Sequence, residues 1–211
     1  MRFNNPAILT LLLLATVLLE GCSGSKVRRA EPVQVTLPEF VEPQRIFTPE
    51  TLQAYGQALT LIEQEQPEQA ITALKQLLST REDIPGAWYN LAVLEYRLGN
   101  HEQALSNIEK HLEFSPRNAE AQTFHGLLLR QKGQFKPARL AYSKALHADK
   151  NYAPAHLNLA ILFDIYLQFL EDAKEHYMIY LALSTDTEQS DQVRLWLSDL
   201  EVRIQQEQAQ Q

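Results

Sequence analysis

Residues 85–118 read PGAWYNLAVLEYRLGNHEQALSNIEKHLEFSPRN, and their pattern decides the fold. Gly99 splits the stretch into two runs, each with apolar residues at helical spacing: Trp88, Leu91 and Ala92 before it, Ala104, Ile108 and Leu112 after it. Glycine adopts left-handed backbone without a steric cost, so it suits a tight turn between two helices. The same pattern recurs on both sides. Ala70, Ala104, Ala138 and Ala173 are separated by 34, 34 and 35 residues, and Leu74, Ile108, Tyr142 and Tyr177 follow at the same intervals. Leu78, Leu112, Leu146 and Leu181 form a third such ladder. A fixed period near 34 residues, with two short amphipathic helices per unit, predicts helical hairpins that stack and bury a shared core. Such an array makes a binding scaffold, not an enzyme, the expected function.

The units are placed at 51–84, 85–118, 119–152 and 153–187, the last with one extra residue. They resemble tetratricopeptide repeats. In the second unit Trp88, Leu91, Ala92, Gly99, Ala104, Ile108, Leu112 and Pro116 fall on that family's pattern, with His111 where a small residue is usual. Small residues at Ala58, Ala92, Gly126 and Ala160 let the first helix of each unit approach its neighbour closely. The first unit has Ala54 and Glu65 in place of the tryptophan and the turn glycine, and the fourth replaces the glycine turn with the apolar run Ile165 to Leu170. The resemblance implies an all-α solenoid, a TPR array of about four repeats over 49–187 with a C-terminal capping helix. That helix is expected over 188–204, capped by Ser190 and carrying Val193, Trp196, Leu197, Leu200 and Ile204 as its apolar stripe, with a frayed Gln-rich tail at 205–211.

Residues 1–21 read as a signal peptide: Arg2, an apolar run from Ala7 to Leu19, then Gly21. Cys22, the one cysteine in the chain, stands where bacterial lipoproteins carry the lipidated residue. By that resemblance Cys22 is acylated, and Ser23 after it implies the periplasmic face of the outer membrane. Acyl chains contribute about 0.8 kcal/mol per buried CH₂, so such an anchor would be stable. Residues 22–48, punctuated by Pro32, Pro38 and Pro43, read as an extended tether. Thr48 and Pro49 then open the first helix.

The net charge of −7 argues against nucleic acid as a partner, because no basic stripe stands out along the sequence and the cluster Lys26, Arg28, Arg29 belongs to the tether. The six histidines form no ligand pair on one helix face, so no metal or cofactor is expected; His125, at a position where the family usually has leucine, reads as a satisfied interior residue. No phosphate loop, nucleophile elbow or thiol nucleophile is recognisable.

In this family the first helices of the units line a concave groove. Carried over residue by residue, the groove comprises Tyr55, Leu59 and Ile62; Tyr89, Asn90, Val93, Tyr96 and Arg97; Thr123, Phe124, Leu127, Arg130 and Gln131; and Leu157, Asn158, Ile161 and Ile165. Of the positions that clamp a terminal carboxylate in the chaperone-type subfamily, Asn90 alone matches, since Tyr55, Leu59, Glu120 and Phe124 occupy the others. The expected ligand is an apolar helix face or extended segment of an envelope protein, with Asn90, Asn158, Arg97 and Arg130 fixing its polar groups. Tyr166 and Phe169 in the fourth turn either pack on neighbouring helices or form a second docking point. Pilotins of type IV pili, with longer arrays, and repeat lipoproteins of TonB/ExbB-like systems are the resembling precedents for recruitment into an envelope assembly. An adaptor for peptidoglycan hydrolases or synthases is the alternative.

Overall fold

A computed structural model describes residues 47–210. The leader, Cys22 and all of the tether except Phe47 and Thr48 lie outside the described residues. Nine α-helices follow within them: α1 Pro49–Glu63, α2 Pro67–Thr80, α3 Pro85–Arg97, α4 His101–Phe114, α5 Ala119–Gln131, α6 Phe135–Ala148, α7 Ala153–Ile161, α8 Leu170–Leu183 and α9 Thr187–Ala209. A π-helical segment, Leu162–Leu167, prolongs α7. Thr48 caps α1 through Oγ1, which accepts the Thr51 amide at 3.3 Å, and Pro49 fills a first-turn position that needs no donor.

Helices pair as hairpins α1–α2, α3–α4, α5–α6 and α7–α8, and each hairpin packs on the next. The first two ladder rungs are its core: Ala70, Ala104, Ala138 and Ala173 are buried, as are Leu74, Ile108, Tyr142 and Tyr177. The third rung is looser, with Leu78 buried and Leu112, Leu146 and Leu181 only partly so.

Each hairpin turn contains one residue in the left-handed region. Gly99 (φ 81°) and Gly133 (φ 76°) meet this need without strain, whereas Glu65 and Gln168 (both φ 56°) meet it with a Cβ in place. After the first three, the next amide bonds to a carbonyl five residues back: Gln66 to Leu61, Asn100 to Glu95 and Gln134 to Leu129. These are Schellman closures, which satisfy helix-end carbonyls. In the fourth, Phe169 bonds to Phe163, six residues back. The extra residue of this unit lies between Ala160 and Ala173, and the π turn absorbs it by widening the helix. The apolar run expected as a lengthened turn is therefore mostly helix, and its closure still needs a left-handed residue, Gln168.

A second regularity links the units. The Trp88 indole N–H donates to Glu82 O (2.7 Å), the Gln122 amide to Pro116 O (2.9 Å), and His156 Nε2 lies 3.0 Å from Lys150 O. All three sit at one repeat position and reach a carbonyl six residues earlier. A side-chain N–H thus fastens the start of each of these helices to the preceding linker.

Three expectations need correction. The cap of α9 is Asp186, whose Oδ1 accepts the Gln189 amide at 3.0 Å; Ser190 is buried in the first turn and donates to Asp186 O instead. The helix does not end at Ile204 but continues to Ala209, through Gln and Glu residues with good helix propensity, and Gln208 reaches Glu171 of α8 at 3.4 Å. A basic row does exist: Lys136, Arg139 and Lys144 share the outward face of α6 with exposed Leu140, Ser143 and His147. Spread over nine residues of sequence it is inconspicuous; helical spacing gathers it onto one face.

Candidate functional site

The expected groove residues lie on the odd-numbered helices, and side-chain contacts join them into one continuous face. Between α1 and α3, the Asn90 amide donates to the Tyr55 hydroxyl at 2.9 Å. Gly86 admits this approach, because a Cβ there would stand 2.5 Å from the Tyr55 oxygen. Between α3 and α5, Phe124 presents its ring to Tyr96 (5.4 Å, edge-on) and Tyr89 (6.4 Å), while the Tyr89 hydroxyl donates to Glu120 at 2.7 Å and Gln131 donates to Tyr96 at 3.0 Å. Between α5 and α7, Arg130 donates to Asn158 at 3.3 Å. Burial pushes the Tyr55 and Tyr89 phenols above their ordinary pKa, with the Glu120 carboxylate adding to the effect at Tyr89. Both remain neutral at physiological pH.

Leu59, Val93, Phe124, Leu127 and Ile161 are partly exposed along this face. Thr123 and Leu157 are not part of it: both are buried, Thr123 donating to Ala119 O and Leu157 packing in the core. Polar positions expected to meet a ligand are largely engaged with each other, Asn90 with Tyr55, Asn158 with Arg130 and Pro154 O. Arg97 is exposed and has no carboxylate within 4 Å among the described residues. The face is thus an apolar and aromatic strip that carries three charges, the Arg97 and Arg130 guanidiniums and the Glu120 carboxylate, none of them ion-paired within 4 Å among the described residues.

The fourth turn joins this strip. Tyr166 lies against Phe135 of α6, with ring centroids 4.7 Å apart, and beneath the Arg130 guanidinium at 5.9 Å. Phe169 leans on Phe163 at 5.9 Å. Both remain over two-fifths exposed, so each packs on a neighbour and still offers a ring to solvent. Beside them is a pocket of about 420 Å³ lined by Ile161, Ile165, Tyr177 and Trp196, with Asp164, Gln168, Asp199 and Arg203 as its polar members. Asp164 is buried, accepts from Arg203 and receives the Tyr177 hydroxyl at 3.2 Å, which ties α9 to the π segment. Sequence reasoning missed this site because its parts lie 39 residues apart; the available signal was the extra residue of the fourth unit.

One histidine expectation also changes, and one histidine contact is new. His125 is half-buried and not satisfied: Glu109 lies 3.5 Å from Nε2, beyond good hydrogen-bond length, and burial lowers its pKa. His156 and His176, on different helices, meet at Nδ1···Nδ1 2.9 Å. With His156 Nε2–H donating to Lys150 O, its Nδ1 accepts the proton of His176. Among the described residues no group of three or more His, Cys, Asp or Glu side chains is placed to hold a metal.

Residues 55–119 match the tetratricopeptide repeat family. No curated protein matches the chain. Among solved structures, MamA residues 41 to the end from Desulfovibrio magneticus RS-1 superposes with a TM-score of 0.66 at 19% identity, covering 76% of this chain and 88% of that one. YrrB, described as a TPR protein with an unusual peptide-binding site, gives 0.61 at 18% identity over 68% and 74% of the two chains. PilF of Pseudomonas aeruginosa gives 0.62 at 21% identity over 74% and 69%. The chain therefore carries tetratricopeptide repeats in residues 55–119 and the fold of such repeats through all four helical hairpins.

Proposed function

We propose that this chain is a non-catalytic protein-binding scaffold whose odd-numbered helices receive an apolar segment of a partner protein. The observation that carries the reading is the strip from Tyr55 to Ile161, aromatic and aliphatic, partly exposed and held in place by its own hydrogen bonds. Its residues are preorganised, so a ligand meets rings already fixed and loses less entropy on binding. Aromatic anchors of this kind dominate binding energy at protein interfaces. The 420 Å³ pocket at the α7–α9 end suits one large apolar side chain of the ligand. YrrB, of the same fold, is named for a peptide-binding site, which supports peptide recognition here.

In its finer form, the scaffold is lipid-anchored through Cys22 at the periplasmic face of the outer membrane and recruits components of an envelope assembly, of the TonB/ExbB-like or pilus-secretin kind. Anchoring confines the strip to a thin layer and raises its effective concentration toward partners there. The test is crosslinking capture from native envelopes, comparing the wild type with a Tyr89→Ala, Tyr96→Ala, Leu127→Ala variant whose helicity is checked by circular dichroism. One set of envelope proteins should be captured by the wild type and lost from the folded variant. Unchanged capture would remove the strip from consideration. Metabolic labelling with a fatty-acid probe, lost in Cys22→Ser, tests the anchor separately.

A further inference from the structure

The cation row of α6 has a counterpart on α8. Lys136, Arg139 and Lys144 are exposed and lie within 4 Å of no carboxylate among the described residues; Leu140, at the centre of their row, is 58% exposed. On α8, Glu171, Asp172 and Glu175 are exposed and have no cation within 4 Å among the described residues, Glu171 accepting only from the Gln208 amide, and Met178 beyond them is 53% exposed. On α4, by contrast, two of the acids are matched: Glu102 binds Lys132, and Glu113 binds Lys110. The two unbalanced rows also share a register. Lys136 and Glu171, Leu140 and Glu175, Ser143 and Met178 are each 35 residues apart, equivalent positions of consecutive units. Both helices pack on α7 and turn these rows away from it.

We propose that the two rows form the interface of a symmetric dimer of this chain, with α6 of one protomer on α8 of its partner and α8 on α6. A two-fold axis running along the helices and between them brings each cation row over an acid row at the same level. The contact occurs twice and closes on itself, as an isologous interface requires. Leu140 and Met178 supply apolar contact within the charged rows, and the opposite charges set register and partner choice. A second copy is favoured over an unrelated acidic partner because one surface carries both halves of the complement, a cation row and an acid row side by side on neighbouring units.

Sedimentation velocity of the full chain in a neutral detergent tests this. Wild type should dimerise at about 0.05 M salt and weaken at least about tenfold at about 0.5 M, where screening shortens the Debye length to a few ångströms. A variant with Lys136→Glu, Arg139→Glu and Lys144→Glu should be monomeric, as should one with Glu171→Lys, Asp172→Lys and Glu175→Lys. Mixed in equal amounts the two variants should dimerise again, because each then offers the complement that the other lost. That restoration also shows that both variants are folded. A monomeric wild type at low salt, or a mixture that stays monomeric, overturns the proposal. So does a monomer whose α6 cations instead mediate binding to vesicles containing about a third phosphatidylglycerol.

Discussion

Gly56 and Gly126 both lie inside helices, yet replacing each by alanine should move stability in opposite directions. A Cβ on Gly56 of α1 would meet nothing within 4 Å. There alanine only removes backbone freedom from the unfolded chain and should stabilise by about 0.5 to 1 kcal/mol. A Cβ on Gly126 of α5 would sit 2.6 Å from Tyr142 Cδ1 and 2.9 Å from Cζ, and closer still to Cε1. Tyr142 is fully buried, so its ring has nowhere to retreat without displacing α6. Overpacking of this kind costs about 1 to 3 kcal/mol or more, which outweighs the helix-propensity gain. For a folded part of this size each kcal/mol shifts the midpoint by roughly 2 to 4 °C. Gly56→Ala should therefore melt a few degrees above the parent and Gly126→Ala several degrees below it, by calorimetry or circular dichroism. The first two units pair Ala58 with Leu74 and Ala92 with Ile108, both buried. Adding Tyr142→Leu to Gly126→Ala should accordingly recover most of the loss. If Gly126→Ala melts with or above the parent, the account of Tyr142 packed on bare backbone is wrong.

Removing the Arg203 guanidinium leaves Asp164 buried with Tyr177 as its remaining side-chain partner among the described residues; because Arg203 is about one-third exposed, Arg203→Met should cost about 2 kcal/mol, less than the ~3 to 5 kcal/mol of a fully buried pair, in urea titrations. Much of that loss should vanish in the background of Asp164→Asn, and equal losses in both backgrounds would refute the pairing. Glu65→Gly should stabilise by up to about 1 kcal/mol, since Glu65 holds a left-handed conformation that glycine adopts freely; a lower denaturation midpoint would contradict this. Burial holds His125 and His176 below the ordinary histidine pKa of 6.5. Below that value the unfolded chain binds more protons than the folded one, so stability present above pH 6.5 should decline as pH falls through the lowered folded values. His125→Leu should make guanidinium-derived stability less steep between about pH 6.5 and 5, and an unchanged slope would show that His125 contributes nothing.

The solenoid was legible because its information is periodic. Ala104 and its equivalents repeat in identity, Ile108 and its equivalents repeat as large buried side chains, and only stacked hairpins bury all of them. The placement of the apolar strip on the odd-numbered helices was legible for a related reason: once the units are placed, the helix and face of residues such as Tyr89, Phe124 and Ile161 follow by position. Thr123 and Leu157 escaped that rule because position does not say how closely adjacent helices pack. The insertion in the fourth unit was countable, but its form was not, since one extra residue fits a longer loop or a π turn equally well. Links such as Asp164–Arg203 and His156–His176 depend on helix–helix geometry, which no local pattern encodes. The α6 row was in the sequence throughout, and needed only the helix phase of its three cations to become visible.

Trp88, Gln122 and His156 have an indole, a primary amide and an imidazole at one position, yet each aims a donor at the equivalent carbonyl of its own linker. What is inherited from unit to unit there is a direction in space, and residue identity is free to drift around it. A similarity score sees three unrelated letters at this position. Interchange among them, such as Gln122→His, becomes a natural way to ask whether the array tolerates new spelling as long as the vector is kept.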